Sequence, residues 1–177
     1  MMKAGYGKAG RHSIPFLSIK VPNMAILGIS TNTRLLGLAI ISEGRLLDYS
    51  IRLDKSPWSP SKVTQIITSL EPCVRQYSIK KVVLSMPYQY HQTAAFKTVR
   101  RALERYCKTE NLAFTTFPAE SFYSLSNEKE KRSKKAVMYS LTCLFPQLSY
   151  CFQKEMKNKK KYYTKLFEAI AAAMAGE

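Results

Sequence analysis

MAILGISTNTRLLGLAIISEGRLLDYSIRL, residues 24–53, reads as three strands in succession. Residues 25–30 form a short apolar run, residues 35–41 a second, and residues 45–53 a third with partial alternation. The connections Thr31-Asn32-Thr33 and Ser42-Glu43-Gly44 are short and polar. Apolar runs of this length separated by turn residues are the mark of a strand meander. Two tight connections force neighbouring strands to run antiparallel. The rest of the chain is expected to lie on this sheet.

Downstream, Pro57 and Pro60 punctuate a loop and mark a helix start. Over residues 61–77, apolar side chains at Val63, Ile66, Ile67, Leu70, Val74 and Tyr77 keep helical spacing. Pro72 falls inside that pattern, so a kink or break is expected near Glu71. Residues 82–84, leaving through Ser85-Met86-Pro87, read as a fourth strand. It follows a crossover helix and so is expected to pair in parallel with the first strand. A second helix is expected over residues 91–108, a fifth strand over 112–117 and a further helix through 136–144, stopped by Phe145-Pro146. The charge run within residues 150–161 reads either as a loop or as the start of the last helix, an Ala-rich one over 162–174. The expected class is α/β, with a mixed five-stranded sheet and helices on both faces.

With 177 residues, the chain has the length of one domain. It carries 28 Lys and Arg against 12 Asp and Glu, a net charge of +16. Such a field favours anionic partners, nucleic acid first and an anionic membrane surface second. Four widely spaced cysteines without a CxxC pair, and two histidines, argue against a structural zinc site. They fit reduced thiols, and we place the protein in the cytoplasm. No apolar run approaches the roughly 20 residues of a membrane-spanning helix. Residues 1–23 hold four Lys or Arg and no acid. They read as a basic, disordered N-terminal extension to a domain spanning 24–177, with Met24 as an alternative start.

The basic residues fall in three groups. Lys97, Arg100, Arg101 and Arg105 lie on the second helix. Lys131, Arg132, Lys134 and Lys135 precede the next one, and Lys157, Lys159, Lys160 and Lys161 precede the last. All are candidate phosphate contacts, and Tyr88 and Tyr90 are candidates for stacking on unpaired bases.

Three local patterns carry a resemblance. Ile26-Leu27-Gly28-Ile29-Ser30, followed by Gly37-Leu38-Ala39, is similar to the opening hairpin of the RNase H-like superfamily. Within it, the chain resembles the RuvC-type and YqgF-type Holliday-junction resolvases. Val82-Val83-Leu84-Ser85-Met86-Pro87 is similar to their central strand and its exit. Residues 165–173, KLFEAIAAA, are similar to their final helix, which supplies a late acid followed by small residues. The resemblance spans about residues 24–176. It implies an RNase H-like sheet and a site where three or four carboxylates hold two divalent ions, Mg2+ or Mn2+, for phosphodiester cleavage.

This chain departs from that pattern at its first acid, whose place is taken by Ser30; Ser85 is likewise neutral where an acid is expected. Glu120 and Glu168 remain as candidate catalytic acids. The resemblance therefore implies a nucleic-acid-binding protein with a degenerate site and no catalysis, binding branched or duplex DNA, with RNA open and a homodimer compatible. One alternative is a divalent-metal-dependent endonuclease acting through Glu120 and Glu168. Another is a non-enzymatic assembly subunit, since the opening strands also resemble those of actin-like ATPase folds.

Overall fold

A computed structural model describes residues 24–126, 133–159 and 161–177. The meander is β1 (Ala25–Thr31), β2 (Leu35–Ser42) and β3 (Arg45–Leu53). Helix α1 (Pro60–Gln76) crosses over to β4 (Ile79–Ser85), and α2 (Ala94–Thr109) crosses over to β5 (Ala113–Phe117). The remaining helices are α3 (Ala119–Phe122), α4 (Lys134–Leu144), α5 (Ser149–Lys157) and α6 (Thr164–Ala175). The sheet order is β3-β2-β1-β4-β5, with β1 antiparallel to β2 and parallel to β4. That is the mixed five-stranded sheet the residue pattern implies.

Alternation along β1 divides the core in two. Ala25, Leu27 and Ile29 point to one face, where α1 and α2 cover them with Leu70, Phe96, Val99 and Leu103. Ile26 points to the other, with Ala39, Ile41 and Val83, where α4, α5 and α6 pack. Gly28 and Ser30 share the register of Ile26, so they face α6.

Helix α6 lies unusually close to the strands. A Cβ on Gly28 would overlap the Ala169 carbonyl oxygen and sit 2.7 Å from the Ala173 nitrogen. One on Gly37 would overlap the Lys165 carbonyl oxygen. Gly37 pairs with Ser30 across β1 and β2. The glycines therefore let the α6 backbone descend onto the sheet beside Ser30, and the Ala-rich helix needs no more room.

Three sequence-based expectations are corrected. Helix α1 runs through Pro72 without a break. Proline removes one N–H, and the carbonyl it leaves belongs to Thr68, which is exposed and can turn to water. The second helix starts at Ala94 rather than His91, because Thr93 caps it by accepting the Phe96 N–H and a separate 3-10 turn covers Gln89–His91. The charge run at 150–161 is neither a loop nor the start of α6, but mostly a helix of its own, α5.

Helix α5 has a purpose for the site. Its Glu155 is fully buried, and its carboxylate accepts the backbone N–H groups of Tyr162 and Tyr163 at 2.8 Å and of Thr164 at 3.1 Å. Those are the open donors at the start of α6, and a carboxylate there also meets the positive end of the helix dipole. Glu155 thereby fixes where α6 begins.

Candidate functional site

β1, β4 and β5 are mutually parallel, and their carboxyl ends open on one cleft of about 320 Å3. Open α/β sheets characteristically bind ligands there. One wall is the turn Thr31-Asn32-Thr33 and another is Ser85 to Tyr88 at the β4 exit. His91, Thr93 and Phe96 lead into α2, while Phe122 and Tyr123 follow β5. Lys134, Lys165 and Glu168 close the cleft from α4 and α6.

The first wall is stiff. Asn32 Oδ1 accepts the N–H groups of Arg34 at 2.8 Å and Leu35 at 2.7 Å, and Thr31 Oγ1 donates to the Leu35 carbonyl. Behind it, the buried ammonium of Lys62 donates to the carbonyls of Thr33 at 3.0 Å and Ser56 at 2.6 Å, and pairs with the Asp54 carboxylate at 3.3 Å. A buried charge is tolerated when so many acceptors replace water. Lys62 ties the turn to the loop after β3.

At the centre is Glu168, whose side chain is 12% exposed. Its Oε2 accepts from the Ser30 hydroxyl at 2.8 Å and from the Lys165 ammonium at 2.6 Å. Its Oε1 accepts from the Lys134 ammonium at 3.1 Å. Burial pushes the carboxyl up, but the charges of Lys165 and Lys134, with hydrogen bonds from Lys165 and Ser30, outweigh it and hold the group below its ordinary 4.5. Glu168 is therefore ionised at neutral pH.

An aromatic group stands at the β4 exit. Tyr88 and Tyr90 stack with centroids 5.6 Å apart, and His91 lies 4.3 Å from Tyr90. Tyr90 is 78% exposed.

The structure brings together Ser30, Ser85, Glu168 and Lys134 from the sequence-predicted set. Glu120 is exposed in the first turn of the four-residue α3 and does not line the cleft. Lys97, Arg101 and Arg105 are exposed on α2, and Arg100 pairs with Glu104 at 2.8 Å. Arg101 and Arg105 flank a groove between α2 and α1, away from the cleft. Lys135, Lys157, Lys159 and Lys161 are exposed. Lys131, Arg132 and Lys160, like residues 1–23, lie outside the described residues. Sequence reasoning missed Lys165 and Lys62. The first was legible as a cation three residues before Glu168 on a helix; the second gave no sign, being one lysine beside an apolar stripe.

No protein-family model matches the chain, and no curated protein matches it in sequence. Its structure does have clear neighbours. Thermus thermophilus RuvC in complex with a Holliday junction substrate superposes with a TM-score of 0.65 at 16% identity, covering 85% of this chain and 90% of that one. A second Thermus thermophilus RuvC structure gives 0.63 at 15%, covering 85% and 91%. The Fowlpox virus resolvase in complex with Holliday junction DNA gives 0.52 at 12%, covering 86% and 96%. The fold is that of the RuvC-type resolvases. At such identities the likeness establishes the RNase H-like architecture and leaves function to the site.

The divalent ions implied by the resolvase resemblance do not fit the residues present. Mg2+ and Mn2+ require several oxygen donors with compensating negative charge. Among the described residues, Ser30 meets one carboxylate, already matched by two ammoniums, and its hydroxyl donates to that carboxylate. Among the described residues, no three of His, Cys, Asp and Glu converge as a metal set. A dication at Glu168 would have to displace both lysines.

Proposed function

We propose that this chain binds nucleic acid over the cleft at the β1 and β4 ends and does not hydrolyse it by the metal route of the resolvases. One observation carries the reading: where the resolvase pattern places its first acid, Ser30 donates a hydrogen bond to Glu168, and the same carboxylate is held by Lys165 and Lys134. The site is basic where cleavage chemistry needs it acidic. The net charge of +16 supplies long-range attraction for a polyanion. The Tyr88–Tyr90 stack offers a π-face to unpaired bases, such as those exposed at a branch point. Branched DNA is the favoured ligand, since resolvases of this fold are found in complex with Holliday junctions.

The test is a gel in which the purified protein meets a labelled four-way DNA junction with Mn2+ at low and moderate salt. A retarded, uncut junction is expected. If about five lysines and arginines meet phosphates, log affinity falls against log salt with a slope of roughly −4 to −5. Cleavage that disappears in Glu168→Gln would make the protein a nuclease. Neither binding nor cleavage would leave the assembly-subunit reading.

A further inference from the structure

We propose that Lys165 and Lys134 form a phosphate seat in the cleft that works without a divalent ion, the two ammoniums standing where a metal would otherwise meet the nucleic-acid backbone. This rests on the nucleic-acid reading above and specifies how the site recognises its ligand.

The geometry is that of a built site. Lys165 is anchored by an ion pair at 2.6 Å and Lys134 by one at 3.1 Å, both on the single carboxylate of Glu168. They arrive from different helices, so their convergence is tertiary. Among the described residues, two ammoniums against one carboxylate leave the cluster net positive. An ammonium has three donors, and the Glu168 pair uses one from each lysine. Both residues line the cleft together with Thr31, Asn32 and Ser85. An anion entering between them exchanges water for charge-assisted hydrogen bonds to cations whose ordering cost has already been met by the ion pairs. A phosphodiester carries the one negative charge that the cluster lacks. Simple surface lysines would bind equally well anywhere on this basic chain, whereas these two sit in a concave site beside the tyrosine stack.

Two measurements on the full chain separate this inference from the reading beneath it. The first is junction affinity in EDTA and in Mn2+ at matched ionic strength, for the native protein, Lys165→Gln, Lys134→Gln and the control Arg101→Gln/Arg105→Gln on α2. Native affinity should be the same with and without the metal. Each cleft variant should lose about tenfold, the equivalent of one charged hydrogen bond, and about 0.9 from the salt slope. The α2 variant should change less than either. Lys134 is half exposed, so its variant folds normally and keeps the test valid if Lys165→Gln does not. The second is Mn2+ titration followed by electron paramagnetic resonance, without nucleic acid. The native protein should show no saturable Mn2+ site, and Ser30→Asp/Lys165→Asp, which gathers three carboxylates with Glu168, should gain one.

Binding that depends on Mn2+, a saturable native Mn2+ site, or loss confined to the α2 variant would overturn the phosphate seat while leaving nucleic-acid binding intact. No binding by the native protein under any condition would overturn the functional reading itself.

Discussion

The two faces of the sheet are packed by different rules. On the α1–α2 face, branched and aromatic side chains such as Leu27, Ile29, Leu70, Phe96 and Leu103 fill an ordinary interlayer space. On the α6 face, Gly28 and Gly37 meet Ala169, Ala173 and the Lys165 backbone with no side chain between. A helix held by side chains can shift by repacking them, but one seated on backbone cannot. Position is therefore fixed most tightly on the face that carries Glu168 and Lys165. The same contrast holds at the helix starts: α2 is capped by one exposed threonine, whereas α6 is held by a fully buried carboxylate.

The largest effect should come from breaking the tight face with one methyl. Gly28→Ala places a Cβ into the α6 backbone and should cost about 3 kcal/mol or more, whereas Val82→Ile on the opposite face should cost about 1 kcal/mol. Denaturant midpoints at unchanged m-value measure both; equal losses would dissolve the contrast.

Next come the caps. Glu155→Ala removes a fully buried acceptor from three N–H groups at the half-buried entry to α6 and should cost about 3 kcal/mol. Thr93→Ala on α2 should cost about 1 kcal/mol. Thermal melts of the two variants rank them directly.

The smallest effect is one of pH. Glu168 is held below its ordinary 4.5 mainly by Lys165 and Lys134, against the upward push of burial. Its folded value is thus lower than its unfolded one. The stability it contributes is complete above pH 4.5 and is lost as pH falls through the lowered folded value. Chemical denaturation between pH 3 and 6 should show a decline toward acid that is shallower in Glu168→Gln; identical slopes would mean the lysines do not hold the carboxylate as drawn.

Much of the architecture was readable because strand runs and helical periods are local. The apolar runs around Gly28 and Gly37, the crossover helices and the parallel β4 follow from spacing of two and of about 3.6. The same logic misjudged Pro72, since whether a proline breaks a helix depends on whether the carbonyl it abandons reaches water. It also left α5 undecided, because residues 150–161 look like a solvated charge run until Glu155 finds the N–H groups of α6. At the site, Ser30 and Glu168 were legible as departures from and matches to a family pattern. Their hydrogen bond, spanning 138 positions, was not.

By itself, then, the sequence determined the α/β class, the strand order of the meander, the strong positive charge and the absence of an acid at the end of the first strand. These are properties of composition and short-range pattern. Tertiary structure alone decided that Lys134 and Lys165 converge on Glu168, that Lys62 is buried to pin the Thr31–Thr33 turn, and that Arg101 and Arg105 of α2 line a groove against α1 instead of the cleft. Charges far apart along the chain acquire their chemistry only when the fold fixes the distance between them.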